Sequence, residues 1–123
     1  MQSSLLSKLH SQCFDKAWKP EQFAGLEVIA EGEKGFVAFQ TVIDECEIKT
    51  ICVLPSFRRQ GIAEKLMKSL LKQQKGNSVF LEVEESNLPA INLYKKLGFV
   101  TFSTRKDYYG AGKNALLMRT NIA

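Results

Sequence analysis

Residues 55–66 read P-S-F-R-R-Q-G-I-A-E-K-L. The run I-K-T-I-C-V-L at 48–54 leads in and reads as a strand; K-L-M-K-S-L-L-K at 65–72 leads out and reads as a helix. Between them lie Arg58, Arg59, Gln60 and Gly61. The first four N–H groups of a helix have no internal partner. They carry the positive end of the helix dipole, and an anion seated there answers both conditions. Gly61 has no Cβ, so a phosphate can approach its backbone, and an arginine fork matches phosphate oxygens. The turn is chemically suited to a phosphate or pyrophosphate. Neither G-x-x-x-x-G-K-[ST] nor G-x-G-x-x-G occurs. Taken alone, the turn also describes an ordinary polar helix start.

Working outward, Ile62, Leu66 and Leu70, with Ala63, Met67 and Leu71, form one apolar stripe, and Glu64, Lys65, Lys68 and Lys72 face away from it. Gly76 ends this helix. S-V-F-L-E-V-E is the next strand, and a helix from about Pro89 to Leu97 follows, with Ala90, Leu93, Tyr94 and Leu97 on one side. K-L-G-F stops it: glycine where a left-handed cap is wanted, then an apolar residue that packs back. F-V-T-F-S-T-R and A-L-L-M-R-T are the last strands, joined through Tyr108-Tyr109-Gly110-Ala111-Gly112. Upstream, Leu5, Leu6, Leu9 and Cys13 predict a short opening helix, and a second starts near Glu21. L-E-V-I-A, F-V-A-F-Q-T-V-I and E-C-E-I-K-T-I-C-V-L form a meander whose second turn is Asp44-Glu45. Cys46, Ile48 and Cys52 share one parity of its third strand. The pattern is an α/β layer on a mixed sheet, with the strands flanking the central helix parallel.

The 123 residues argue for one domain, residues 1–123, able to bury a core without staples. Lysine and arginine total 17 against 13 carboxylates, a net charge of +4: a mild bias toward anionic partners, which ordinary solubility also explains. The basic residues are dispersed, which gives nucleic-acid binding no specific support. Cys13, Cys46 and Cys52 form no C-x-x-C, and the single His10 speaks against zinc. The cysteines read as reduced, in a cytoplasmic protein. The first ten residues are too polar for a signal peptide, and no apolar run approaches the ~20 residues of a membrane span.

R-R-Q-G-I-A fits Q/R-x-x-G-x-G/A, and V-L-P precedes it. Downstream stands L-E-V-E-E-S-N-L-P-A-I-N-L-Y-K-K-L-G-F, then R-K-D-Y-Y and A-L-L-M; upstream stands I-D-E-C-E-I. Together, from about Val42 to Met118, these resemble the GNAT N-acetyltransferases, and within them the RimI-type ribosomal-protein alanine N-acetyltransferases. The resemblance implies a GNAT fold: a mixed, mostly antiparallel sheet flanked by helices, here with the family's N-terminal strand missing. It implies that Arg58, Arg59, Gln60, Gly61, Ile62 and Ala63 cradle the pyrophosphate of acetyl-CoA, and that Ile51, Cys52 and Val53 offer backbone hydrogen bonds to its pantetheine arm. No metal is implied. The expected partners are acetyl-CoA and a protein N-terminus, with an alanine-starting ribosomal protein foremost. Nucleic acid and membrane are not expected as direct partners, and the chain is expected as a monomer or weak dimer.

Acetyl transfer from a thioester to an amine needs the amine deprotonated, the carbonyl oxygen stabilised and the departing thiolate protonated. An α-amino group near ~7.7–8.0 needs only a modest base. Glu82, the glutamate of L-E-V, is implied as that base, directly or through a water; pattern alone allows a solvent-facing carboxylate beside Glu84. Tyr94 is implied as the acid, although its spacing with Ala90 and Leu97 equally describes packing. Asn87 matches the S-N pair and is implied in cofactor contact; it also reads as a helix N-cap. Tyr108 and Tyr109 resemble the tyrosine pair lining the acceptor groove, or are aromatics beside a Gly-rich turn. Glu45 and Glu47 are further candidates for contact with the amine. Cys52 fits a core strand, with no histidine nearby in sequence to activate it.

Lys113-Asn114 stands where RimI-type enzymes carry an acidic pair, which points to an altered acceptor preference. Trp18, in W-K-P-E-Q-F, matches the family's P-W element only loosely. Three other readings stay open: a GNAT enzyme acting on a small amine or lysine side chain, a non-catalytic CoA-binding module, and a basic ribosome-associated protein.

Overall fold

The computed structural model describes residues 2–14 and 16–120. The chain opens on α1, Ser3–Ser11, and a 3-10 turn, Pro20–Phe23. A meander follows: β1 Glu27–Glu31, β2 Gly35–Val42 and β3 Glu45–Val53. A second 3-10 turn, Pro55–Phe57, leads into α2, Ile62–Gln73. Then come β4 Ser78–Glu84, α3 Leu88–Lys96, β5 Phe99–Arg105 and β6 Ala115–Thr120. The six strands form one sheet in the order β1-β2-β3-β4-β6-β5. β1 and β2 pair antiparallel, as do β4 with β6 and β5 with β6. β3 and β4, which flank α2 in sequence, pair parallel over Glu45–Glu47 and Ser78–Phe80. This is the mixed sheet that the pattern predicts, mostly antiparallel as the resemblance implies.

The chain divides into two compact units. The first holds the residues up to Gln40 and Lys49–Gln73; the second holds Thr41–Ile48 and the residues from Gln74 onward. In the first, Gly35 to Phe39 of β2 are buried without alternation, as a strand covered on both faces requires. Phe36 and Ala38 pack with Leu6, Leu9 and Phe23. On α2 the buried residues are Ile62, Leu66, Met67 and Leu70, and the helix packs against β1. In the second unit β4 alternates strictly, with Val79, Leu81 and Val83 buried between half-buried Phe80, Glu82 and Glu84. α3 packs against β5. Gly98 takes φ 97° after α3, and Phe99 turns back so that its ring centroid lies 5.9 Å from that of Tyr94.

Three local expectations are corrected. The β2–β3 turn is Ile43-Asp44, not Asp44-Glu45: Ile43 takes φ 56°, and Glu45 already belongs to the strand. Sequence pattern disfavours that turn because a β-branched residue at positive φ is strained. On α3 the buried residues are Ile91 and Tyr94, with Ala90, Leu93 and Leu97 only half-buried. The cysteines are not all reduced: Cys13 and Cys52 form a disulfide, their Cα atoms 6.3 Å apart, while Cys46 is a buried thiol. Two cysteines separated by 39 positions carry no local sign of pairing. Docking of α1 on β3 brings them within bridging range.

Around that bridge, His10 is buried. Its Nδ1 accepts from the Trp18 amide at 3.2 Å, so Nε2 carries the proton and meets Thr50 Oγ1 at 3.2 Å. The rings of Phe14, Trp18 and Phe23 surround it. Burial lowers its pKa below the usual 6.5.

Candidate active site

The first unit carries the turn. Pro55 starts the 3-10 turn that ends β3, and Arg58 is extended after it. Arg59 takes φ 65° and Gly61 φ 77°. Alternating left-handed residues at the entrance of a helix turn successive N–H groups into one concavity, the backbone nest that binds anions. The first helical bond of this turn runs from the Lys65 amide to the Gly61 carbonyl, 3.0 Å. The amides of Ile62, Ala63 and Glu64 precede it at the open end of α2. A Cβ on Gly61 would meet nothing within 4 Å. Glycine therefore suits this position through its positive φ, not through crowding by the protein. Arg58, Arg59 and Gln60 are exposed. Arg58 Nε donates to the Val53 carbonyl at 3.0 Å, which ties the cradle to the end of β3. Its two terminal nitrogens carry the remaining donors of the fork. A groove runs from Gly61 along α2 between Glu64, Lys65, Lys68, Ser69 and Lys72. Ile51 and Val53 are half-buried and Cys52 is buried.

The second unit carries the ionisable groups. Glu82 lies opposite Leu117, and Leu117 opposite Ser103, so the three share one sheet face. Glu47 pairs with Phe80, two residues from Glu82, and so stands on that same face; Glu45 precedes it, and both are exposed. Glu82 is half-buried, and its Oε1 lies 3.3 Å from Arg105 Nη1. The Arg105 guanidinium also lies 5.2 Å from the centre of the Tyr108 ring, a cation–π distance. Tyr108 and Tyr109 meet edge to face at 5.1 Å. Burial pushes the Tyr109 phenol up, and Glu82, Tyr108 and Glu84 push it further. Tyr94 is buried, and its phenol is pushed up to about 12, by burial first and by Tyr109 second. Tyr109 is the group that the charge of Glu82 reaches and that in turn acts on Tyr94. The packing and the hydroxyl chemistry expected of Tyr94 are compatible: its ring rests on Phe99, while its phenol feels Tyr109.

Asn87 caps α3, its Oδ1 accepting from the Ala90 amide at 3.3 Å. The loop bearing the tyrosines is pinned at both ends. Asp107 Oδ1 accepts from the Gly112 amide at 2.7 Å, and Asn114 Oδ1 from the Asp107 amide at 2.9 Å. Asn114 Nδ2 donates to Glu85 Oε1 at 3.0 Å. Sequence reasoning treats Asn114 as a lost acidic residue; its amide instead serves as both donor and acceptor in this clasp. Arg105 is not among the sequence-predicted site residues, because its carboxylate partner lies on another strand. The one local signal was the arginine of R-K-D-Y-Y.

The sequence profile of the Acetyltransferase (GNAT) family matches residues 6–99. The chain belongs to the GNAT acetyltransferase family. It is 42% identical over 82 residues to the N-alpha-acetyltransferase of Sulfurisphaera tokodaii, spanning 63% of this chain and 49% of that protein. It is 37% identical over 90 residues to the [ribosomal protein bS18]-alanine N-acetyltransferase of Haemophilus ducreyi, spanning 68% of this chain and 62% of that protein. The chain thus spans about half to three-fifths of the length of these GNAT relatives. The crystal structure of the Escherichia coli ribosomal-protein-S18-alanine N-acetyltransferase superposes with a TM-score of 0.87 at 25% identity, covering 96% of this chain and 86% of that one. The GNAT expectation and its RimI-type kinship are both upheld.

Proposed function

We propose that this GNAT chain moves the acetyl group of acetyl-CoA to the α-amino group of a protein N-terminus, with an alanine-starting ribosomal protein as acceptor. The observation that carries this reading is the turn before α2, where Arg59 and Gly61 take positive φ at the open end of the helix. The names of the relatives support this acceptor class. Arg58, Arg59, Gln60, Gly61, Ile62 and Ala63 hold the pyrophosphate: the two left-handed residues and the open helix end suit it. The backbone of Ile51, Cys52 and Val53 lies along the pantetheine arm, and Asn87 contacts the cofactor while capping α3. Bound acetyl-CoA supplies an activated thioester.

Glu82 takes a proton from the acceptor's ammonium, whose ordinary pKa near ~7.7–8.0 makes this a small step. Glu45, Glu47, Tyr108 and Tyr109 contact the incoming N-terminus. Tyr94 donates toward the departing sulfur. With its pKa at about 12 the phenol is always protonated at neutral pH. A thiol near ~8.5 is the stronger acid. Tyr94 therefore acts as a hydrogen-bond donor to the thiolate and does not give up its proton outright; the proton that the nitrogen sheds as the C–N bond forms and the C–S bond breaks ends on the sulfur. No metal enters this scheme.

The test is free-thiol release from acetyl-CoA with three acceptors: an alanine-starting peptide, a lysine peptide with a blocked N-terminus, and a polyamine. Release with the first alone is expected. Release only with the second or third would move the activity to another amine class, and acetyl-CoA binding without release to any of them would mark a non-catalytic module.

A further inference from the structure

We propose that Arg105 is a positioning residue for Glu82, holding the carboxylate in place and linking it to the tyrosine loop. The proposal rests on the reading of Glu82 as the base. Its ground is a register shift in β5. Val100 lies opposite Arg119 and Thr101 opposite Met118, but Ser103 lies opposite Leu117, so Phe102 is an extra residue between them. In an unbroken strand even-numbered residues would continue on the face of Val100 and Arg105 would fall on the other face. The bulge reverses the parity, and Arg105 comes to lie opposite Ala115, on the face that carries Glu82 and Glu84. Ala115 is the residue between Arg105 and Glu84 in the register, and its short side chain leaves the guanidinium room to cross toward β4.

Arg105 meets Glu82 Oε1 at 3.3 Å on one side and the Tyr108 ring on the other. The ion pair has its arginine side chain 53% exposed and its glutamate 30% exposed. A pair this open contributes little to stability. What it offers the site is orientation: one carboxylate oxygen is engaged, and the carboxylate keeps further lone pairs to receive a proton. The planar guanidinium suits this double contact, which an ammonium does not reproduce.

The experiment is steady-state kinetics with an alanine-starting peptide on the wild type, Arg105→Ala, Arg105→Lys, Glu82→Gln and the Arg105→Ala/Glu82→Gln pair. Arg105→Ala is expected to lower kcat roughly tenfold, with the KM for acetyl-CoA held within about twofold. Methylguanidinium in the assay recovers part of that loss in Arg105→Ala, and recovers nothing once Glu82 is also replaced. Arg105→Lys falls between the wild type and Arg105→Ala. A wild-type kcat in Arg105→Ala overturns the proposal. So does a loss that neither lysine nor methylguanidinium lessens, or recovery that persists without Glu82. Full turnover by Glu82→Gln alone overturns the base assignment itself, a result separate from any reading of the Arg105 variants.

Discussion

His10 is buried among three aromatic rings, with both ring nitrogens engaged. Protonating it would place a second N–H against the Trp18 amide, itself a donor. Its pKa is lowered in the folded chain, so between that value and the unfolded one near ~6.5 the unfolded state binds more protons. The contribution of His10 is complete above ~6.5 and is lost as pH falls below it. The urea midpoint should therefore decline over that window, and His10→Gln, less stable at neutral pH, should show a shallower decline; equal slopes in both proteins would exclude His10 as the cause. Tyr94 makes the complementary case in the site. Tyr94→Phe keeps the ring on Phe99 and removes the donor, so kcat should drop about 100-fold with the KM for acetyl-CoA unchanged. In the wild type no loss of kcat through Tyr94 ionisation is expected until pH approaches about 12.

Among the elements, β2 shows how tightly the first unit is built. A Cβ on Gly35 would lie 2.7 Å from the Cys52 carbonyl oxygen and 3.2 Å from Val53 Cα, both backbone atoms. Gly35→Ala should destabilise the fold by ~1–3 kcal/mol, the usual cost of overpacking, read as a lower denaturation midpoint; an unchanged midpoint would show that β3 shifts freely. The bounds of β4, the stop at Gly98 and the cap at Asn87 were all legible in the sequence, because each depends on residues a few positions apart. The strand, turn and helix that carry the proposed cradle were legible for the same reason: they are contiguous. What escaped was non-local. The meeting of Arg105 with Glu82 depends on a bulge across β6, and the meeting of His10 with Thr50 on how α1 docks. Composition carries neither signal. Ile43 escaped for the opposite reason: residue preference there argues against the conformation adopted.

For the molecule as a whole, one covalent link joins distant parts of the sequence. The Cys13–Cys52 bridge closes a loop of 39 positions, for which chain entropy gives ~4 kcal/mol of stabilisation. A Cys13→Ser/Cys52→Ser chain, or the wild type in excess reductant, should melt at a lower temperature. Identical melting with and without reductant would show that the bridge does not form in solution. The clasp around the tyrosine loop is made by residues other than the tyrosines. Asp107 and Asn114 hold its ends through their own side chains, so residues 108 and 109 can be exchanged without disturbing the strands that frame them. On the proposed reading, exchange of Tyr109 would retune which polypeptides are accepted, whereas exchange of Tyr108 would also remove the ring against which Arg105 lies.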